Sequence, residues 1–317
     1  MSKKSIFIFI PFLVTISACN QYAENDDEEV NSEKMVSDDT LNIQKNTFIP
    51  PNLPSTIAFA NEPIPLESID VIEGLDRELV VNNFWHSNTF FYFKRANRWF
   101  PLMKEILIEE GVPTDFLYLA VIESGLTQAT SPSGAKGFWQ FMPGTAEDYG
   151  LEVNLTIDER MHISKSTRAA CTYLKKAYNK LGSWILAAAG YNRGVNGISR
   201  ALEKQSVDNF FDLRLNEETS RYVYRILALK LIMENPKGYG FYFEKSDLYP
   251  PYKTKSVTVS ETIPDFISWS LEHDITYKIL KLLNPWIKEE TLIVHDDKTY
   301  EIVLPENSEQ LTPNKGL

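Results

Sequence analysis

The sequence predicts a mainly α-helical protein with a small α+β module near its C-terminus. From about residue 69 to residue 249, apolar side chains recur at helical spacing and glycines follow the ends of the apolar segments. Beyond Pro251 the pattern becomes strand, helix, helix and strand over about 48 residues. Between residues 19 and 66 the chain is charged, polar or rich in proline. We therefore expect one large helical domain, preceded by a non-globular segment and followed by a small module.

The chain begins with a segment that is typical of export. Lys3 and Lys4 precede an apolar run over residues 6–16, which is too short to span a bilayer and fits a secretory signal. The run ends in Ile-Ser-Ala-Cys19, which resembles a bacterial lipobox. The alternative is a cysteine that follows small residues in an ordinary signal peptide. We expect a lipoprotein signal peptide over residues 1–18, with lipidation of Cys19 and anchoring to a membrane.

The residues after Cys19 indicate location and a spacer. Asn20 is not the aspartate that commonly retains lipoproteins in the inner membrane, so the expected place is the cell envelope, at the outer membrane and facing the periplasm. Residues 20–39 contain eight acidic residues against one lysine, which accounts for most of the net charge of −11. With the prolines that follow, this composition predicts a disordered tether over residues 19–66. The rest of the chain is nearly neutral, so we expect no nucleic-acid partner.

The remaining cysteine and the histidines indicate no redox or metal chemistry. Cys171 is the only other cysteine, so no intramolecular disulfide is expected, and its helical neighbours Leu174 and Tyr178 predict a buried thiol. The four histidines are scattered without metal-ligand spacing. We expect neither a metal nor a cofactor.

The helical domain is expected over residues 67–250, which is long enough for one substantial core. Aromatic residues crowd positions 84–100, most of them as core and a minority as the lining of a groove. Glycines at 111, 125, 150 and 182 stand where C-terminal caps belong. The amphipathic helices that the spacing predicts are 98–110, 113–124, 145–149, 166–181, 183–191 and 217–233.

Glu123 is the most informative residue of this domain. It stands near the C-terminal end of an apolar stretch over residues 116–125 that contains no basic residue. If the stretch is helical, Leu119 and Ala120 lie on the same face as Glu123. Desolvation and the negative end of the helix dipole then both favour the protonated carboxyl group, which is the state that a proton donor needs. The same position also fits the polar last turn of a helix that stops at Gly125.

Three further clusters combine aromatic, small and polar residues, and each also fits an ordinary structural role. Residues 131–137 predict a flexible loop that leads into the aromatic run 138–143, in which Gln140 is the one side-chain amide. This mixture suits a sugar-binding groove, and it equally suits a surface turn followed by core residues. The alanine-rich segment 187–194 predicts tight helix packing and ends in Tyr-Asn-Arg-Gly. Residues 217–223 predict either a helix start with favourable acids or a second polar wall.

Taken together, these motifs resemble those of the lytic transglycosylases of glycoside hydrolase family 23. The first motif is Glu-Ser-Gly from Glu123, and the second is Ser-x-x-Gly-Ala-x-Gly-Phe-Trp-Gln-Phe-Met-Pro-x-Thr-Ala from Ser131. The third is Asp-x-Arg from Asp158, together with Ser-Thr-x-Ala-Ala-x-x-Tyr-Leu from Ser166. The last two are Gly-Tyr-Asn-x-Gly from Gly190 and Glu-Thr-x-x-Tyr-Val from Glu218. The motifs follow the family order over about 110 residues. The resemblance implies a goose-lysozyme-like all-α catalytic domain.

The resemblance also implies roles for individual residues. Glu123 falls on the catalytic acid and base of the family, and Ser124 and Ser131 fall on serines that accompany it. The residues that match the substrate cleft are Gln140, Met142, Tyr191, Asn192 and Glu218. We treat Asp158 and Arg160 as structural, most simply as an ion pair that holds a loop.

The reaction that the resemblance implies needs one carboxyl group, and no second Asp or Glu lies in a comparable setting near Glu123. Such enzymes cut the β-1,4 bond between N-acetylmuramic acid and N-acetylglucosamine without water, leave a 1,6-anhydro ring and count as carbon–oxygen lyases. The implied substrate and partner is therefore the peptidoglycan glycan strand, and other cell-wall enzymes are further candidate partners. A hydrolytic muramidase and a non-catalytic peptidoglycan-binding scaffold remain the alternatives.

The C-terminal module is expected over residues 255–306, followed by a flexible tail over 307–317. Its strand, helix, helix, strand order and the Leu-Asn-Pro sequence at Asn284 resemble LysM modules, which grip N-acetylated glycans. LysM modules usually have Gly-Asp before Thr-Ile, and this module lacks that pair. Glu261 occupies part of the corresponding position. A family-specific C-terminal cap is the alternative.

Overall fold

The computed structural model describes residues 49–295 and 298–307. The predicted signal peptide, the lipidation site Cys19, the acidic part of the tether and all but the first residue of the predicted tail lie outside the described residues. Within the described residues, no helix is both long enough and apolar enough to span a membrane.

The helical domain confirms the predicted mainly α architecture. A short hairpin of β1 (Ala58–Phe59) and β2 (Glu62–Pro63) comes first. The helices that follow are α1 (Ile69–Phe84), α2 (His86–Glu109), α3 (Phe116–Ser124), α4 (Pro143–Asp148), α5 (Ile163–Leu181), α6 (Trp184–Arg193), α7 (Val195–Gln205) and α8 (Glu217–Glu234). Short 3₁₀ helices occupy Glu159–Met161, Pro236–Tyr239 and Lys245–Asp247.

Three helices differ from the sequence prediction. The helix α1 lies within the region of helical spacing but was not predicted as a separate helix. The aromatic segment before Arg98 is helical, because α2 begins at His86 and continues through Pro101. A proline inside a helix removes one hydrogen bond, and the burial of six side chains of α2 on both sides of Pro101 helps to offset that loss. The helix α7 was not predicted, since Gly194 and Gly197 interrupt its pattern and only Ile198 is fully buried in it.

The core of the domain forms around α3. Phe116, Leu119, Ala120 and Val121 have no exposed surface, so this short helix is held in place by its neighbours rather than by its own length. The helix α8 packs against both α1 and α3. Cys171 on α5 is part of the same core and is buried as predicted.

The predicted tether is too long at its C-terminal end. Phe59 on β1 is 1% exposed and packs edge to face on Phe116 of α3, with ring centroids 5.1 Å apart. On β2, Glu62 accepts hydrogen bonds from the backbone amides of Trp184 and Ile185 at the start of α6. The structure therefore joins the hairpin to the helical core. This attachment was not predicted, because the segment is rich in proline and polar residues. The free energy gained by burying one aromatic side chain is enough to hold such a segment on the core.

The C-terminal module has the predicted strand, helix, helix, strand order. Its elements are β3 (Thr254–Val259), α9 (Phe266–Glu272), α10 (Tyr277–Leu283) and β4 (Tyr300–Pro305). The two strands are antiparallel, and Thr254 pairs with Pro305 while Val259 pairs with Tyr300. Asn284, which follows α10, is fully buried and exchanges two hydrogen bonds with the backbone of Val303, at 2.7 and 2.8 Å. This exchange gives the Leu-Asn-Pro sequence a structural role.

The module is attached to the helical domain through a loop between α4 and α5. The backbone amide of Asp158 donates to the carbonyl of Trp286 at 2.8 Å, and the amide of Lys288 donates to the carbonyl of Thr156 at the same distance. Between these bonds, Ile157 is buried in the core of the module rather than in the helical core. The loop thus connects the two hydrophobic cores.

Candidate active site

Glu123 lies in the last turn of α3 and is partly buried. The helix ends immediately afterwards, because Gly125 adopts a left-handed conformation with φ of 59° and its amide donates to the carbonyl of Val121 at 2.7 Å. Five of the other eight residues of α3 are apolar and buried, namely Phe116, Leu117, Leu119, Ala120 and Val121. The sequence thus places one carboxyl group at the end of a helix that is otherwise part of the core.

The surroundings of Glu123 favour its protonated form. Burial raises the pKa of the Glu123 carboxyl from 4.5 to about 7, and the negative charge of Glu218 also raises it. A hydrogen bond from Tyr222 and the positive charge of Arg225 lower the pKa but do not cancel the effect of burial. At neutral pH the group is therefore divided between its acid and its carboxylate, and both forms are available for proton transfer.

Two tyrosines from different helices flank Glu123. The hydroxyl of Tyr222 on α8 donates a hydrogen bond to Oε1 of Glu123. The hydroxyl of Tyr191 on α6 donates to the carbonyl of Trp139 at 2.7 Å. Burial, and then the negative charge of Glu123, hold the pKa of both tyrosines well above its usual range. Both phenols therefore stay protonated and act as neutral hydrogen-bond donors.

The two serines hold the chain around the end of α3. Ser124 donates to the carbonyl of Phe138 at 2.9 Å, which ties the helix to the aromatic run. The hydroxyl of Ser131 accepts from the amide of Ala135 at 2.9 Å, and the amide of Ser131 donates to the carbonyl of Ala135 at 2.9 Å. The hydrogen bonds of Ser131 therefore close its own loop.

Gln140 and Met142 lie on the segment that follows this loop. Gln140 has a φ of 49°, and its side-chain amide nitrogen donates to the carbonyls of Ala129 and Gly137 at 3.1 and 2.8 Å. The donor of Gln140 is thus used within the protein, which leaves its Oε1 as the atom that could accept from a ligand. Met142 is 43% exposed and offers an apolar surface.

The end of α6 meets the start of α8 through one polar contact network. Asn192 donates to Oε1 of Glu218 at 3.2 Å and accepts from the hydroxyl of Thr219 at 2.8 Å. Glu218 is exposed, so its carboxylate remains accessible to solvent. Tyr191, Asn192 and Glu218 are distant in sequence from Glu123, and the charges of Glu218 and Glu123 are close enough to interact.

The predicted ion pair of Asp158 and Arg160 is present and buried. Arg160 binds Asp158 through two hydrogen bonds of 2.8 and 2.7 Å, and Lys136 lies 3.2 Å from the same carboxylate. Arg160 also donates to the carbonyls of Gly134 and Phe141. These contacts anchor both ends of the loop that carries Gln140.

Comparison with known families shows that residues 103–212 match the Transglycosylase SLT domain. This part of the chain is therefore similar to a transglycosylase SLT domain. The matched segment contains Glu123, the loop 131–141 and Tyr191. Residues 255–308 match the soluble lytic transglycosylase C-terminal LysM-like domain, which confirms the LysM-like prediction for the module.

Relatives and solved structures resemble only part of the chain. Membrane-bound lytic murein transglycosylase D of Escherichia coli (strain K12) is 33% identical over 146 residues, which are 44% of this chain and 32% of that protein. The chain thus matches about a third of that relative's length. The lytic transglycosylase Slt of Pseudomonas aeruginosa is 20% identical over 48% of this chain and 26% of that chain, with a TM-score of 0.35. The 70 kDa soluble lytic transglycosylase of Escherichia coli is 20% identical over 49% of this chain and 27% of that chain, with a TM-score of 0.37.

Tyr222 and Arg225 act on Glu123 but were not predicted as site residues. Both lie after residue 212, where the match to the SLT domain ends. Tyr222 was noted only as part of the Glu-Thr-x-x-Tyr-Val motif, although it lies one helical turn after Glu218. Arg225 approaches the buried Glu78 of α1, with Nε 3.7 Å from its carboxylate, and acts electrostatically on Glu123. Glu218, Tyr222 and Arg225 are four and three residues apart, so they lie on one face of a helix. This spacing could have indicated Tyr222 and Arg225 as further site residues.

Proposed function

We propose that this protein is a lytic transglycosylase that cuts murein, with Glu123 as its single general acid and base. The observation that carries the proposal is the carboxyl group of Glu123, whose pKa is raised to about 7 by burial at the end of α3 in an SLT domain. General acid–base catalysis is most effective when the pKa lies near the working pH. The relatives whose names include lytic murein transglycosylase support the choice of substrate.

The proposed reaction cuts the β-1,4 bond between N-acetylmuramic acid and N-acetylglucosamine. Glu123 donates its proton to the bridging oxygen, the bond from that oxygen to C1 of the muramyl ring breaks, and positive charge develops at C1. The carboxylate of Glu123 then takes the proton of the C6 hydroxyl of the same ring, and that oxygen bonds to C1. The product is a 1,6-anhydro ring, so the original proton state of Glu123 is restored and no water is consumed. An intramolecular nucleophile has a large advantage over water in such a step.

Neighbouring residues support this assignment. Tyr222 binds Oε1 of Glu123 and so fixes the rotation of the carboxyl group. Exposed Met142 provides an apolar face for a sugar. Oε1 of Gln140, which has no hydrogen-bond partner among the described residues, provides an acceptor. We assign Ser124 and Ser131 the role of holding the loops around the substrate cleft. The side of the cleft opposite these loops is assigned to Tyr191, Asn192 and Glu218.

A hydrolytic muramidase is the second candidate, and Glu218 is the observation that favours it. A glycosidase that uses water needs a second carboxylate. Glu218 is exposed, and its charge acts on Glu123. In a muramidase it would activate a water molecule, and the product would carry a reducing end instead of an anhydro ring.

Mass analysis of the products separates these candidates. The full chain, purified in detergent, is incubated with purified murein beside the Glu123→Gln variant. Soluble products lighter by one water than reducing sugars, and absent with Glu123→Gln, are expected from a lytic transglycosylase. Reducing ends would indicate a muramidase. Binding without products from the unchanged protein would indicate a non-catalytic scaffold. Truncation beyond Phe59 is unsuitable, because that residue belongs to the core.

We further propose that Cys19 carries a lipid that anchors the protein to the outer membrane, with the enzyme facing the periplasm. The lipobox resemblance and the membrane-bound relative support this location. Growth with a labelled fatty acid is expected to label the unchanged protein and not Cys19→Ser. Recovery of label with inner-membrane vesicles alone would contradict the outer-membrane assignment.

A further inference from the structure

A cavity of about 650 Å³ lies between α2 and the C-terminal module. Arg98 and Trp99 of α2 form part of one wall, and Ser256 of β3 and Trp286 form part of the other. The volume falls in the range of sites that bind small ligands. Neither Glu123 nor the cleft residues described above line this cavity.

The cavity nevertheless adjoins the helix that carries Glu123. Its wall includes residues 126–128, which follow the glycine cap of α3. Arg95, another wall residue, donates from Nη1 to the carbonyl of Gly125 at 3.0 Å. The cavity and the carboxyl group of Glu123 are therefore both next to the C-terminal end of α3.

The charges of the lining favour an anionic ligand. Arg95 and Arg98 both line the cavity, and among residues 49–295 and 298–307 neither forms a salt bridge. Glu105 is the one acidic residue in the described lining. Arg98 donates from Nε to the carbonyl of Pro250 and from Nη1 to Tyr252, at 3.0 and 2.8 Å. A guanidinium group has five N–H donors, so donors of Arg98 remain for a carboxylate.

The remaining walls suit a ligand that has both apolar and amide groups. The guanidinium group of Arg98 lies 4.1 Å from the ring centre of Tyr252, which places it against an aromatic surface. Gln128 Oε1 and Trp286 Nε1 are buried without a hydrogen-bond partner among the described residues, and both residues belong to the wall. Each atom exposes less than 1 Å² of surface, so the wall side chains must shift before a peptide group can donate to the first and accept from the second.

We propose that this cavity binds a short acidic peptide, namely the peptide that substitutes the glycan strand of murein. The carboxylates of the peptide pair with Arg95 and Arg98, and its backbone lies against the aromatic walls. The link to catalysis rests on the proposed function above, because a peptide on the muramyl ring enters the cavity when that ring lies at Glu123. The cavity would then select strands that carry peptides.

Peptide binding can be tested without any catalysis. The probe is the tripeptide L-alanyl-γ-D-glutamyl-meso-diaminopimelate, titrated calorimetrically into the full chain in detergent. We expect binding that Arg98→Gln weakens about tenfold, that Arg98→Lys weakens less, and that Arg200→Gln leaves unchanged. Arg200 is an exposed arginine of α7 outside the cavity. Equal binding of a tripeptide with amidated carboxylates, or no binding at all, would overturn the proposal.

A second pair of variants tests the charge of the cavity without removing any arginine. Ser256 is exposed on β3 at the cavity wall, so larger side chains fit there without disturbing the core. Ser256→Glu is expected to weaken tripeptide binding about fivefold relative to Ser256→Gln, because only the first adds a negative charge beside the arginines. Equal affinities for the two variants would contradict an electrostatic site.

Kinetics on two substrates separate this proposal from the proposed function. On murein with its peptides, Arg98→Gln is expected to raise KM about tenfold with kcat unchanged. On glycan strands freed of peptides by an amidase, Arg98→Gln and the unchanged protein are expected to behave alike. An equal loss on both substrates would reject the peptide site. Inactivity of the unchanged protein on both, together with Arg98-dependent tripeptide binding, would reject the proposed function and retain the peptide site.

Discussion

The hydroxyl of Tyr222 on α8 donates a hydrogen bond to Oε1 of Glu123 on α3, and it is the largest of the interactions that lower the pKa of that carboxyl group. Burial acts in the opposite direction and outweighs it. The acid strength of Glu123 therefore depends on a residue 99 positions away in the chain. A change at Tyr222 should alter the pH dependence of the reaction before it alters the fold.

Tyr222→Phe is expected to raise the pKa of Glu123 above about 7, because it removes a hydrogen bond to the ionised form while burial remains. The pH at which activity falls on the alkaline side should move upward, and kcat should decrease about tenfold because the carboxyl group loses its fixed rotation. A pH profile of kcat on murein measures both. Tyr224→Phe on the same helix serves as the control and should leave the profile unchanged, whereas a shift in both variants would point to a general disturbance of α8.

Glu123→Gln is expected to abolish activity and to stabilise the protein at alkaline pH. The folded-state pKa is raised from 4.5 to about 7, so the stabilising contribution of the protonated acid is complete below 4.5 and is lost as the pH rises through 7. Because Glu123 is only partly buried, we expect the unchanged protein to lose about 2 kcal/mol relative to Glu123→Gln between pH 5 and pH 8. Urea unfolding of both proteins at the two pH values tests this. A constant difference would show that the acid does not change its charge over that interval.

Asp158→Asn is expected to lower the free energy of unfolding by about 3 kcal/mol, because it leaves the buried guanidinium group of Arg160 without its partner. Activity should fall as well, since Arg160 holds the loop that carries Gln140. The matched control is Arg77→Gln, which removes an exposed ion pair with Glu217 and should cost less than about 1 kcal/mol. Comparable losses in both variants, measured by urea unfolding, would argue against a special role for the buried pair.

Phe59→Ala is expected to lower the free energy of unfolding by about 3–5 kcal/mol, because it leaves a cavity against Phe116. Ile49→Ala should change it by less than about 0.5 kcal/mol, since Ile49 is 70% exposed. Thermal unfolding of the two variants under the same conditions gives the comparison. Identical melting temperatures would mean that the hairpin does not contribute to the core.

Several features could be predicted from the sequence because each depends on local chemistry. The apolar stretch before Glu123 predicted a buried helix with a perturbed acid at its end, and the glycine at 125 predicted where the helix stops. The strand and helix periodicity of the C-terminal module was likewise sufficient for its order of elements. An ion pair was the simplest structural role for the opposite charges of Asp158 and Arg160, and the structure shows that the two side chains meet.

Other features escaped prediction because they depend on which surfaces meet. The sequence around Phe59 resembled a disordered tether, since its few apolar residues do not recur at the spacing of a helix or a strand. The donor of Gln140 turned out to bind two backbone carbonyls, which no sequence pattern shows.

The sequence by itself determined the helical class, the position of one difficult-to-ionise carboxyl group and the order of the motifs around it, since these follow from side-chain periodicity and local polarity. Only the tertiary structure decided that Tyr222 binds Glu123, that Glu218 acts on its charge and that Arg95 and Arg98 line a cavity beside the C-terminal module. The reason is physical. Hydrogen bonds and charge interactions act over a few ångströms of space, and the packing of α3, α6 and α8 decides which distant residues come within that range.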